Sequence, residues 1–185
     1  QRSLRLVSVG TCKQPGAHQR NVQQCDQRAE QRGAGNLRGM GVEQRGYDNR
    51  IGSSSDLLPV LSLKSVISQI HELKKGDSVG YNRAYVADAK KTIATLPLGH
   101  ADGIGRQYGN GVGYVRVQNQ KAQIVGNVCM DMIMIDVSDI DCQEGDHVVV
   151  FDAVTTAENF AESAKTISYE LLTALSRRIK RRLVE

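Results

Sequence analysis

From Leu57 onward the apolar positions fall in short runs divided by turn residues. The first 45 residues hold neither a period of two nor a sustained period of 3.6. Leu57–Leu73 is aliphatic with near-alternation and predicts a strand after Pro59, closed by the turn residues Lys74-Lys75-Gly76-Asp77. Ser78–Ala87 and Lys91–Leu98 predict two further strands. Six glycines between Gly99 and Gly113 predict a long loop. Tyr114–Gln118 and Lys121–Val125 predict a hairpin about Asn119-Gln120. Val128–Val137 is apolar at nearly every position and predicts a strand buried on both faces, and His147–Phe151 another after Glu144-Gly145-Asp146. Thr155 with Glu158 three residues on has the pattern of a capping box and predicts a helix to about Ala164. A second helix is expected over Tyr169–Ser176, capped by Thr166-Ile167-Ser168, with Arg177, Arg178 and Lys180 at the end where the helix dipole favours cations. Arg181–Glu185 reads as a return strand. The fold class is mainly β, a small barrel-like or sandwich-like domain with two short helices near its C-terminus.

Charge changes the picture at one end. Residues 1–45 carry eight Lys or Arg against three acidic residues, while the whole chain of 185 residues is only +4. The same segment has eight Gln, six Gly and no aromatic. Such a segment buries too little apolar surface to offset chain entropy, which predicts a disordered basic tail before a folded unit over 46–185. A polyanion-seeking arm and an out-of-frame start are the other readings. Basic charge without interleaved aromatics offers phosphate contact but no stacking platform, so a nucleic-acid partner is not favoured. No apolar run nears the length of a membrane helix, and the N-terminus lacks a secretory h-region. Cys12, Cys25, Cys129 and Cys142 form no C-x-x-C pair, which fits free thiols in a cytoplasmic protein.

Candidate chemistry is sparse. Tyr81 follows Gly80, where backbone can be approached closely, yet a tyrosine at that spacing also suits simple strand packing. The loop GHADGIGRQYGNG could cradle a phosphate but lacks the Gly-Lys-Ser/Thr of a P-loop and joins no strand to a helix. His100 lies in it with Asp102 two residues on. Asp131 sits in the apolar run and needs a partner if buried, as a structural ion pair or as part of a site. No metal-binding cluster is legible.

Five segments, in order, carry a resemblance: VLSLKSVISQIHELKKGDSVGYNRAYVA, IATLPLGHADGIGR, IVGNVCMDMIMIDV, EGDHVVVF and TISYELLTALSRRIKRRLVE. Together they resemble the C-terminal domain of the alanine racemases, and Gly46-Tyr47-Asp48 resembles the tail of the segment that leaves the family's barrel. GHADGIGRQYGNG is similar to racemases fused behind a muramoyl-peptide ligase. The resemblance implies an isomerase that interconverts L- and D-alanine with pyridoxal phosphate, for peptidoglycan supply, in the cytoplasm. It implies a homodimer in which each site pairs an N-terminal barrel, whose lysine holds the cofactor, with the β domain of the other subunit.

On these residues the resemblance makes Tyr81 the base on the L-alanine face. It places Met130 at the substrate carboxylate through its backbone, Tyr169 at the cofactor phosphate, and His100 and Asp131 at the entrance. A free tyrosine titrates near pH 10, so its surroundings must tune such a base. Many family members carry tyrosine where this chain has His100, a departure that touches gating rather than the base. The barrel and its lysine motif have no counterpart in residues 1–60, and none of Lys13, Lys64, Lys74 and Lys75 stands in the right context. The chain therefore reads as a racemase fragment with half of each active site, inactive alone. The alternative is a non-catalytic β module for dimerisation or binding, with a polyanion-binding tail.

Overall fold

The computed structural model describes residues 6–10, 59 and 61–184. Its short β-branched and aliphatic runs form β1 (Leu6–Gly10), β2 (Leu61–Val66), β3 (Gln69–Leu73), β4 (Ser78–Val79), β5 (Tyr85–Val86), β6 (Lys91–Leu96), β7 (Tyr114–Val117), β8 (Gln120–Val125), β9 (Ile133–Asp136), β10 (His147–Phe151) and β11 (Lys180–Val184). Two helices follow β10: α1 (Ala157–Ser163) and α2 (Ser168–Ala174). Nine strands form one sheet in the order β11-β1-β2-β10-β7-β8-β9-β6-β3, and β4 pairs with β5 apart from it. Every pairing is antiparallel except β1 with β11. One buried cluster draws Leu63 of β2, Leu96 of β6, Val115 of β7 and Ile135 of β9 together with Phe160 of α1 and Leu171 of α2. Strands far apart in the sheet thus share one core, so the sheet curves around it and the helices close the open side. The mainly-β domain with two late helices is what the periodicity implied. β1 falls inside the segment read as a tail, and there its backbone pairs in the sheet. The rest of residues 1–45, and Gly46-Tyr47-Asp48, lie outside the described residues.

Element boundaries depart from the sequence pattern where the backbone finds other partners. Within the expected strand Leu57–Leu73, the described residues form two strands, β2 and β3, because the chain changes neighbours at Ile67-Ser68. The Ile67 N–H donates to the Asp146 carbonyl at 2.9 Å, whereas the Ser68 N–H donates to the Thr95 carbonyl at 2.9 Å. Ser78–Ala87 is interrupted by a tight 3-10 turn at Tyr81–Arg83. The hairpin turn is Gln118-Asn119, both at positive φ (48° and 65°), rather than Asn119-Gln120. Val128–Val137 is a strand only over Ile133–Asp136, where Ile133, Met134 and Ile135 are buried on both faces. Upstream of that, the Cys129 and Met130 carbonyls accept from the His100 and Ala101 N–H groups, each at 2.9 Å, so the backbone has left the ladder.

The cap of α1 lies one residue beyond the expected position, and the expected cap of α2 is absent. Thr156, not Thr155, caps α1: its Oγ1 accepts from the Asn159 N–H at 3.2 Å, and Asn159 Oδ1 accepts from the Thr156 N–H at 3.2 Å. α2 begins at Ser168 with no side-chain cap and ends at Ala174. Thr155 is instead held by Asp152, whose Oδ1 accepts from the Val154 and Thr155 N–H groups at 2.9 Å while Arg116 pairs with its other oxygen. Burial opposes ionisation of Asp152, but these donors outweigh it and hold its carboxyl below the usual range. The charged form is therefore favoured by folding, and that contribution is lost as pH falls through the depressed value. Asp152→Asn should cost about 2 kcal/mol at neutral pH, as expected for bonds to a charged acceptor. The gap from wild type should narrow below about pH 4, measured by urea unfolding across an acid series.

Candidate functional site

Four of the five candidate residues named from the sequence, Tyr81, His100, Met130 and Asp131, sit on loops that the sheet anchors, and Tyr169 lies on α2. Tyr81 opens the tight turn between β4 and β5 and is 59% exposed. It is therefore a turn residue rather than the strand residue expected. Gly80 reaches the turn at φ 80°, and a Cβ there would stand 3.2 Å from the Met134 methyl and 3.4 Å from the Asn127 nitrogen, so backbone and core approach closely at this point. Asn82 and Arg83 also have positive φ. The turn is pinned from outside: the Asn127 side-chain amide donates to the Tyr81 carbonyl at 3.0 Å, and Arg83 Nε donates to Ser78 Oγ at 3.0 Å. The phenol itself projects outward.

Asn127 leads within three residues to the other half of the site. Met130 is 57% exposed and Asp131 is exposed, so neither lies in a buried strand as the alternating pattern implied. Gly99 explains their fixed position. A Cβ on Gly99 would come within 2.6 Å of the Cys129 and Met130 carbonyl oxygens and the Met132 nitrogen. Only glycine lets the two loops touch through their backbones. His100 follows at once, exposed, in a 3-10 turn over His100–Asp102.

A charge cluster locks this junction. Asp102 is fully buried in its side chain; its Oδ2 accepts from the Gly99 N–H at 2.9 Å. Arg178 donates to both Asp102 oxygens, at 2.8 and 3.1 Å, and to Asp131 Oδ1 at 2.7 Å. Hydrogen bonds that Arg178 donates to Asp102 and then Asp131 hold it charged, raising its already high value. Arg178 thus serves an ion pair across the fold rather than the dipole of α2, and Asp131 has the structural partner that one of its readings required. An aspartate in a glycine-rich loop and an arginine beyond the last helix were the signals; their sequence separation hid the pairing. The Gly103 backbone packs just as closely on α2, where a Cβ would stand 2.5 Å from the Ala174 carbonyl oxygen.

Tyr169 is half-buried on the first turn of α2. Beside α2 a groove of 350 Å³ runs past His100, Gly103, Gln107, Tyr108, Thr166 and Glu170. Tyr108 stacks on Phe160 with ring centroids 4.4 Å apart, and burial, with Glu170 adding to it, pushes its phenol up to about 12. Tyr108 stays neutral and is no proton acceptor near neutrality. The structure thus joins His100, Met130 and Asp131 at one junction and ties Tyr81 to it through Asn127. Among the described residues, no hydrogen bond joins the Tyr169 side chain to the other four. Among the described residues no group of His, Cys, Asp and Glu could hold a metal ion, and no helix is long and apolar enough to cross a membrane.

A domain of this topology, with these loops, is a β module that carries an exposed tyrosine beside a Met-Asp turn. The family model described as "Alanine racemase, C-terminal domain" matches residues 60–183, and the chain belongs to that family. The alanine racemase of Halothermothrix orenii is 44% identical over 131 residues, covering 68% of this chain and 34% of that protein. The alanine racemase of Helicobacter pylori strain J99 is 39% identical over 133 residues, 70% of this chain and 35% of that protein. Among solved structures, alanine racemase from Bartonella henselae with covalently bound pyridoxal phosphate superposes with a TM-score of 0.65 at 32% identity, over 68% of this chain and 35% of that one. Biosynthetic alanine racemase from Pseudomonas aeruginosa gives 0.67 at 33%, over 70% and 36%. The chain therefore spans about a third of the length of the relatives it matches.

Proposed function

We propose that this domain supplies one face of an alanine racemase active site, with Tyr81 as the base that serves L-alanine. The observation that carries the reading is the exposed Tyr81 phenol on a turn held by two side-chain hydrogen bonds, tied through Asn127 to the exposed Met130-Asp131 turn. A catalytic base must be both accessible and fixed. Racemisation removes the Cα proton on one face and returns one on the other, so it needs two groups on opposite sides. Tyr81 stands on one side. The other side belongs to a lysine of the cofactor-bearing barrel of the partner subunit in a homodimer, with the exposed apolar side chains of Val86, Met130 and Met132 available for it to cover.

Pyridoxal phosphate, when bound, supplies the electron sink that makes the Cα proton removable. The residues here fit only its edge. Tyr169 offers a phenol from the start of α2 toward a phosphate. Lys91 is engaged by Asp136 at 3.0 Å, and Lys90 by Glu72 at 2.9 Å. On this reading the cofactor's lysine belongs to the barrel. The Met130 backbone would orient the alanine carboxylate. His100 and Asp131 would flank the entrance, with Arg178 fixing Asp131. The setting is cytoplasmic supply of D-alanine for peptidoglycan; fusion behind a muramoyl-peptide ligase fits the glycine-rich loop.

The test is a transplant. The 185-residue chain alone should give no alanine racemisation with added pyridoxal phosphate. Residues 60–183 grafted onto the barrel of the Halothermothrix orenii racemase should restore it. A well-folded graft that binds the cofactor yet does not racemise would refute the reading, and so would turnover by the isolated chain.

A further inference from the structure

We infer that Asn127, itself held by Asn110, is the positioning residue for Tyr81. Three observations meet there. Asn127 Nδ2 donates to the Tyr81 carbonyl at 3.0 Å, and the same oxygen accepts from the Ala84 N–H at 3.3 Å, so both of its lone pairs are used. Asn127 Oδ1 accepts from Asn110 Nδ2 at 3.1 Å, which orients the Asn127 amide with its NH₂ toward Tyr81. The Asn110 backbone is fixed in turn: it has φ 54°, a conformation asparagine tolerates better than most residues, and its N–H donates to the Gly126 carbonyl at 2.7 Å.

The Tyr81 turn needs such an external hold. Gly80, Asn82 and Arg83 all have positive φ, and for Arg83, which lacks the tolerance of glycine and asparagine, that backbone is strained. A strained segment persists only when its surroundings over-determine it. Inside the turn, only the Arg83 N–H to the Gly80 carbonyl at 3.2 Å and the Ala84 N–H to the Tyr81 carbonyl oppose relaxation. The Asn127 bond joins the turn to the loop after β8, and that loop continues within three residues into Met130 and Asp131. The tyrosine and the Met-Asp turn are thereby held at one spacing. Asn127 touches no reacting atom; it acts through the backbone of the residue that does. That Tyr81 is positioned for proton transfer rests on the proposed function, whereas the anchoring itself does not.

Amide hydrogen exchange on the full chain tests the anchor. Asn127→Asp keeps the shape and the acceptor for Asn110 but removes the donor to Tyr81. Exchange at Ala84 and Arg83 should rise about tenfold, the upper range for loss of one hydrogen bond, while the Ile124 and Ile135 amides stay unchanged. Asn110→Gly, which suits the positive φ and removes the orienting amide, should move the same two amides in the same direction by less. Unchanged Ala84 and Arg83 exchange in Asn127→Asp would overturn the inference.

The racemase graft supplies the second readout. In it, Asn127→Asp should lower kcat about tenfold with KM nearly constant, and slow Cα proton exchange of L-alanine more than that of D-alanine. Equal slowing from both enantiomers would mean a general structural role and would also overturn it. If the unmodified graft does not racemise while the two amides respond, the proposed function fails and the anchor stands.

Discussion

Tyr81→Phe, made in the domain grafted onto a racemase barrel, is expected to slow net racemisation in both directions by about 10²-fold or more, the usual size of a general acid–base contribution. The substitution removes one hydroxyl and keeps the ring. The Tyr81 side chain is exposed and its carbonyl, not its phenol, carries the bonds to Asn127 and Ala84, so the turn should keep its shape. L-alanine loses its proton acceptor and D-alanine its donor. Exchange of the D-alanine Cα proton with solvent should persist, since the barrel's base serves that face. Deuterium incorporation from each enantiomer, followed beside net turnover, separates the two faces. Near-normal rates in both would remove Tyr81 from the mechanism, and loss of D-alanine exchange would reverse the face assignment.

Gly99→Ala should be the most damaging small substitution at the junction. Its Cβ would meet two carbonyl oxygens and a backbone nitrogen at 2.6 Å, and none of these is the mobile end of a side chain. The φ of −149° is ordinary for any residue, so the cost is steric alone. About 3 kcal/mol is expected, the upper end of overpacking in a close-packed region. In a domain of this size that lowers Tm by about 10 °C. Because the His100 and Ala101 N–H groups bond the Cys129 and Met130 carbonyls across this contact, His100 and Met130 should move apart, and amide exchange at His100 and Ala101 should rise. A thermal melt that matches wild type would show that the loops slide freely.

Much of the fold was legible because short alternating runs and glycine turns leave few alternatives: a mainly-β chain ending in two helices. The hairpin of β7 and β8 was found and its turn missed by one residue, since Gln118 adopts a positive φ that no propensity rule favours. The Met-Asp alternation of Val128–Val137 imitated a strand. What defeats that reading is tertiary: the Gly99 contact draws the Cys129 and Met130 carbonyls out of the ladder. Tyr81, His100, Met130, Asp131 and Tyr169 could be named by resemblance, but nothing local shows that Asp102 and Arg178 pair across 76 positions, or that Asn110 orients Asn127. The first contact joins the glycine-rich loop to the chain beyond the last helix, and the second spans the base of the β7–β8 hairpin, so neither falls within a local window.

The proposed function requires an active site assembled from two subunits, and subunit mixing tests that most directly. Two inactive forms of the graft are prepared, one carrying Tyr81→Phe and the other lacking the barrel's cofactor lysine, and are dissociated and reassociated together. A hybrid dimer then has one site with both defects and one with neither. Racemisation should return to about a quarter of the unmodified graft's activity, the statistical yield for random pairing in a symmetric dimer. If the mixture stays as inactive as its parts although hybrids have formed, Tyr81 and the lysine serve the same chain's site, and the shared-site account is contradicted.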